Sequence, residues 1–240
     1  MILEIDAGNT FIKWRLLDGS IVTERGKLKT DSDQWTFPIH WSDVDVVRIA
    51  SVAGDSVQER LVSFIQNKNN SIELRLALTE AKAAGVVNSY SDPSRMGVDR
   101  WLVMLAAYND CKKACCIVDC GSAITVDYVD AGGKHLGGYI IPGLRLLSST
   151  LLENTAEIIV DQDIDAFNLM PGRHTSAAVK HGVNYMFNAL CHQITDELHR
   201  SDEQWELYVT GGDGELFAQL AGCDNYIPDL VMDGLSWSVG

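Results

Sequence analysis

Met1-Ile2-Leu3-Glu4-Ile5-Asp6-Ala7-Gly8-Asn9-Thr10-Phe11-Ile12-Lys13-Trp14-Arg15 opens the chain, and its pattern decides how the rest is read. Apolar residues run up to Asp6, the stretch Ala7–Thr10 interrupts them, and Phe11–Trp14 resumes an extended pattern. This predicts a β-hairpin whose tight turn uses Gly8 for a conformation other residues resist. Its tip gathers a carboxylate, backbone N–H groups and the small polar side chains of Asn9 and Thr10. Those are the parts that hold a phosphate and a magnesium ion. A polar turn between strands is common, so the motif alone decides little.

Near the middle of the chain the pattern returns. Val118-Asp119-Cys120-Gly121-Ser122-Ala123-Ile124-Thr125 repeats Ile5–Ile12: aspartate on aspartate, glycine on glycine, a small polar residue after each glycine. A repeat at half the chain length points to two similar domains, 1–112 and 113–240, that began as one. Two such tips facing each other across a cleft could grip both ends of a triphosphate.

Working outward, Asp18-Gly19 turns the chain into a strand over 20–29. Residues 30–44 read as a surface loop or short helix, and 46–52 as a buried strand. A helix follows over 55–67, with Asp55 and Gln58 at capping-box spacing. Residues 72–78 alternate as a half-wet strand. The stretch 79–95 has no period, and such long loops are functional or disordered. Val98–Asp110 reads as a buried helix.

The second half starts in the same way, with strands over 114–119, 124–129 and 135–141. A helix over 144–157 follows, and then an acidic run at 161–165, which reads as a solvated loop with cation binding as the alternative. A long helix covers 176–199, and a strand over 205–209 enters Thr210-Gly211-Gly212-Asp213-Gly214. The tail reads as a strand end and one final helical turn. The fold class is α/β with mixed sheets.

A net charge of −14 argues against nucleic acid or an anionic membrane as partner. It also means that an anionic substrate must be met by local cations and backbone N–H groups. No signal peptide and no apolar stretch of membrane-spanning length is seen, so a cytoplasmic protein is expected. Four of the six cysteines crowd into 111–120, but without C-x-x-C spacing or paired histidines they read as buried thiols rather than a metal site. Lys13 could neutralise a phosphate, and an exposed strand lysine is an equal alternative.

Three Gly-rich turns follow strands, at 6–10, 119–123 and 210–214, and ligands of α/β folds bind at such strand ends. The last would let a flat group such as an adenine ring approach the backbone. The arrangement resembles the duplicated, ribonuclease-H-like domains of the actin/Hsp70/sugar-kinase superfamily. With Gly97-Val98-Asp99-Arg100-Trp101, Gly137-Gly138-Tyr139-Ile140-Ile141-Pro142-Gly143 and Thr210–Asp213 also in order, the chain is similar to type III pantothenate kinases over nearly its whole length.

That resemblance implies ATP-dependent phosphorylation of pantothenate, the first step of coenzyme A biosynthesis. It places nucleotide phosphates along Asp6, Ala7, Gly8, Asn9, Thr10, Phe11, Ile12 and Lys13 and at Ser122, with magnesium at the phosphate end. It assigns a monovalent cation, potassium or ammonium, to Asp119. Pantothenate would meet Tyr90, Gly97, Val98, Asp99 and Arg100, with Asp99 as general base. Thr175 would complete the partner's substrate site in a homodimer. Ser122 stands where the family usually carries threonine, which keeps the hydroxyl with more rotamer freedom. A non-catalytic regulator on the same scaffold is the competing reading; loss of Asp6, Asp99 or Asp119 would favour it, and all three are present.

Overall fold

The structure, a computed structural model, describes residues 1–153 and 167–240. The expected acidic run at 161–165 and the last turn of the 144–157 helix lie outside them. Two compact units are found: Met1–Lys112 with Ala131–Leu136 and Asp229–Gly240, and Lys113–Asp130 with Gly137–Pro228.

The first unit holds a five-stranded sheet of order β3-β2-β1-β4-β5. Its strands are β1 (Ile2–Ala7), β2 (Phe11–Asp18), β3 (Ile21–Lys29), β4 (Val46–Ser51) and β5 (Glu73–Leu76). β1 pairs antiparallel with β2 and parallel with β4. Helix α1 (Asp55–Lys68) packs Leu61 and Ile65 on Leu3, Ile5, Val47 and Ile49. Each such buried side chain contributes about 1.5–3 kcal/mol. A small hairpin of β6 (Lys82–Ala83) and β7 (Val86–Val87) precedes α2 (Val98–Cys111), whose residues from Arg100 to Ala107 are all buried.

The second unit repeats the plan with order β10-β9-β8-β11: β8 (Ala114–Cys120), β9 (Ala123–Val129), β10 (His135–Pro142) and β11 (Trp205–Thr210). β8 is antiparallel to β9 and parallel to β11, as β1 is to β2 and β4. Helices α3 (Leu144–Glu153) and α4 (Thr175–Arg200) come before β11, and α5 (Gly214–Ala221) follows it. Phe187, Cys191 and Ile194 of α4 and Phe217 of α5 cover the sheet residues Cys116, Val118, Val126 and Val209. The shared strand order is that of duplicated ribonuclease-H-like domains.

Several expectations are corrected. Residues 30–44 are not only a surface loop, because Trp35, Phe37, Ile39 and Val44 enter the core between exposed polar neighbours. There Phe37 meets Trp14, Trp41 and Phe64 at centroid distances of 5.7–5.8 Å. Asp55 is not a cap; Gly54, with φ of 86°, holds that position.

The tail is not a single turn but the helix α6 (Leu230–Ser238). It packs on α2 so closely that a Cβ at Gly234 would collide with the Leu102 backbone. Nor is 113–240 one domain, since 131–136 and 229–240 belong to the first unit. Val87 N–H donates to Gly133 O at 2.8 Å, and Gly133, at φ of 81°, abuts Gly85 O where no side chain would fit.

A charged knot ties α6 to the sheet. Glu4, 1% exposed, accepts from Arg15 Nε at 2.6 Å and Arg48 Nη1 at 3.1 Å, and both arginines are its register partners. Arg15 Nη1 also donates to Asp233 Oδ1 of α6 at 2.6 Å. Burial alone would lower the Arg15 pKa, but the charges and hydrogen bonds of Glu4 and Asp233 outweigh it and raise it.

Candidate active site

At the carboxyl end of β1, Asp6 lies opposite Lys13 of β2. Directly opposed residues leave the same face, so carboxylate and ammonium share one side of the hairpin. Ala7 and Ile12, the next pair, are fully buried and anchor the hairpin in the core. Across the turn, Gly8 N–H donates to Phe11 O at 3.0 Å. Thr30 holds the turn from outside, its hydroxyl donating to Gly8 O at 2.7 Å and its N–H to Thr10 O at 3.1 Å. Thr30 carries no sequence signal for this role, because it follows β3 far from the motif. Gly8 does not adopt a positive φ, contrary to expectation; a Cβ there would sit 3.3 Å from Phe11 O. Asn9 is exposed at the tip.

The start of α2 joins this same end of the sheet. Val52, just past β4, donates its N–H to Ala7 O at 3.0 Å, and its side chain would meet a Cβ at Gly97 at 3.8 Å. Gly97 is the N-cap of α2, whose first turn carries Asp99. The Asp99 carboxylate folds back toward Gly97 and accepts from Arg100 N–H at 2.7 Å, in the favourable field of the helix N-terminus. Val98 faces inward.

Arg100 is no surface cation: it is 5% exposed, and its Nη1 donates to Tyr90 Oη at 3.0 Å. Tyr90 N–H in turn donates to the buried Asn88 Oδ1 at 2.9 Å. Fully buried His135 stacks on the Tyr90 ring, centroids 6.3 Å apart, and its Nδ1 lies 2.9 Å from Ser89 Oγ. Thus Asp6–Lys13, Tyr90 and Gly97–Arg100 are brought together within one unit. No sequence motif points to His135, which comes from the β9–β10 hairpin of the other half.

The other candidates belong to the second unit. Asp119 stands one residue before the end of β8, in register with Thr210 of β11 and Thr125 of β9. Gly211, φ 90°, lies against Asp119 Oδ1 and Cys120 O, where a side chain would collide. Asp213 N–H donates to Cys120 O at 3.0 Å and Gly143 N–H to Ser122 O at 3.1 Å, so three loops meet around this turn. Ser122 is exposed at its tip. Burial pushes the Asp213 carboxyl above its usual range, and the nearby Arg145 charge opposes that.

Thr175 is exposed on the first turn of α4, capped by His174, whose Nδ1 accepts from Ala177 N–H at 3.4 Å. Among the described residues no three His, Cys, Asp or Glu side chains gather as a metal cage. A cation at Asp6 or Asp119 would therefore draw its remaining oxygens from carbonyls, phosphates and water, which suits hard cations.

The profile of the type III pantothenate kinase family matches residues 2–197. A Marinobacter nauticus protein of that name is 38% identical over 239 residues, covering 98% of this chain and 96% of its own. A solved Campylobacter jejuni protein, assigned to the Baf family of transcriptional activators, aligns with a TM-score of 0.57 at 21% identity, over 98% of this chain and 95% of its own. A Sinorhizobium meliloti protein assigned as a 2-dehydro-3-deoxygalactonokinase gives 0.56 at 10% identity, with the same coverage of both chains. These structures show a shared fold, the two-domain fold of the actin and sugar-kinase type. With the two polar hairpin tips and the Gly97–Arg100 helix start in place, the family profile and the 38% identity establish that the chain belongs to the type III pantothenate kinase family.

Proposed function

We propose that this protein transfers the γ-phosphoryl group of ATP to the primary hydroxyl of pantothenate, giving 4'-phosphopantothenate at the start of coenzyme A biosynthesis in the cytoplasm. One observation carries the reading: the Asp99–Arg100 helix start and the Asp6 turn share one sheet end, linked through Val52. Phosphoryl transfer asks a protein mainly to position its reactants and to balance charge. Asp99 accepts the hydroxyl proton as the new P–O bond forms and the bond to the ADP oxygen breaks. Arg100 pairs with the pantothenate carboxylate, and its burial strengthens that pairing by excluding competing water.

Lys13 and the backbone N–H groups of the Asp6–Lys13 turn receive phosphate oxygens, and Ser122 is assigned to the nucleotide as well. Magnesium near Asp6 would neutralise the triphosphate charge. Asp119, beside the Cys120 carbonyl and opposite neutral Thr125, suits a potassium or ammonium ion. We assign Thr175 to the substrate site of a second copy in a homodimer, because its exposed position at the start of α4 leaves it accessible to a neighbour.

ADP release measured with and without pantothenate tests the activity. Release that depends on pantothenate is expected, and release indifferent to it overturns the assignment. ATP binding without turnover would favour an accessory protein. For the dimer, mixing an Asp99→Asn chain with a Thr175→Trp chain should restore one working site per heterodimer. Silence from proven heterodimers would place the whole substrate site in one chain.

A further inference from the structure

We infer that His135 is a positioning residue for the acceptor site: it fixes the Tyr90 ring that Arg100 is hydrogen-bonded to, and so sets pantothenate affinity. The inference rests on the proposed function, since it names what aligns that same site. His135 is fully buried. It enters through the β9–β10 turn, which is locked to β7 by the Val87–Gly133 hydrogen bond and the close contact of Gly133 with Gly85. Its ring orientation is set by the 2.9 Å contact between Nδ1 and Ser89 Oγ, and its face lies against Tyr90 with the two planes 28° apart.

Tyr90 is thereby held at three points. The imidazole holds the ring, Asn88 Oδ1 holds the backbone N–H, and Arg100 Nη1 donates to the hydroxyl at 3.0 Å. A phenol that serves as acceptor for a buried guanidinium decides where that guanidinium points. Its geometry must hold to within a fraction of an ångström for a carboxylate to be met well. Without the imidazole, Tyr90 can tilt, and Arg100 loses an acceptor that helps to aim it. None of the three contacts involves the Asp6 turn, so nucleotide binding is insulated from the change.

The test compares His135→Ala, His135→Phe and Ser89→Ala with the wild-type enzyme, each checked for folding by thermal melting, in assays that titrate pantothenate and ATP separately. Removing the ring should raise KM for pantothenate by about tenfold, the worth of roughly one hydrogen bond or aromatic contact. KM for ATP should stay within about twofold. Phe keeps a stacking face without the Ser89 partner, and Ser89→Ala leaves the imidazole but removes its anchor. Each should therefore recover part of the affinity lost in His135→Ala. A folded His135→Ala enzyme with unchanged KM for pantothenate overturns the inference. So does an equal rise in both KM values, and if His135→Ala does not fold, an unchanged pantothenate KM in both His135→Phe and Ser89→Ala does the same. A wild-type protein that releases no ADP in response to pantothenate overturns the function itself, a different result.

Discussion

The two halves repeat a strand order but close their first hairpins differently. Between the paired residues Ala7 and Ile12 the chain turns through Gly8–Phe11; between Cys120 and Ile124 it turns through Gly121–Ala123, one residue fewer. Each keeps an aspartate one place before the last pair and a glycine N–H donating across the turn. Their surroundings diverge. The first turn is steadied by Thr30, whereas the second is wedged among Gly143, Gly211 and Asp213. Opposite Asp6 stands Lys13; opposite Asp119 stands Thr125. A cation across the hairpin suits a turn that meets phosphates, and a neutral neighbour leaves a carboxylate better able to attract a cation. Duplication preserved the polar tip and let the charge around it drift apart.

The largest expected effect is confined to the first unit. Glu4→Gln leaves Arg15 and Arg48 facing a neutral group in a buried site, which should cost about 3–5 kcal/mol in urea denaturation. A loss below about 1 kcal/mol would mean that the knot contributes little to what distinguishes the units. Next, Asp99→Asn should lower kcat by about 10²-fold or more while leaving ATP affinity near wild type. Wild-type turnover in the folded variant would remove Asp99 from the chemistry.

The two turns can then be set against each other directly. Gly143→Ala would place a Cβ 2.5 Å from Gly121 O, so a loss of about 1–3 kcal/mol and weaker ATP binding are expected. Gly8→Ala, with no positive φ to violate, should cost about 1 kcal/mol or less. Equal costs would mean that the two turns are equally confined.

The smallest effect is a pH slope. Burial raises the folded Asp213 pKa, so this carboxyl holds its proton more tightly folded than unfolded. Its contribution is full below the ordinary carboxylate range and is lost as pH rises through the folded value. Asp213→Asn should flatten that part of the stability curve, read by thermal melts across acid pH. An unchanged slope would assign it to other groups.

Much of this was legible in the sequence because it is local. The paired Asp-x-Gly turns, the buried α2 stretch and the repeated strand starts each show in a few neighbouring residues. What was missed depends on partners distant in sequence. Trp35 and Phe37 look like scattered aromatics in a polar loop until Trp14 and Phe64 are beside them. Gly234 argues against a helix on propensity and makes sense only against the Leu102 backbone. His135 and Thr30 carry no motif at all. A turn glycine suggests a positive φ, but at Gly8 it is the missing side chain that serves the approach of Phe11 O.

The place of α6 bears on how the protein is made. The first unit comprises residues 1–112 and 131–136, yet it includes 229–240, and Arg15 finds Asp233 only there. As the chain leaves the ribosome, the second unit emerges entire before the first has its last helix. Domains generally mature in the order of synthesis. Here α2, with Asp99 and Arg100 in its first turn, must await residues 229–240 to bury the face that holds Leu102. The helix that carries Asp99 is thus set in place only after the whole second unit has been translated.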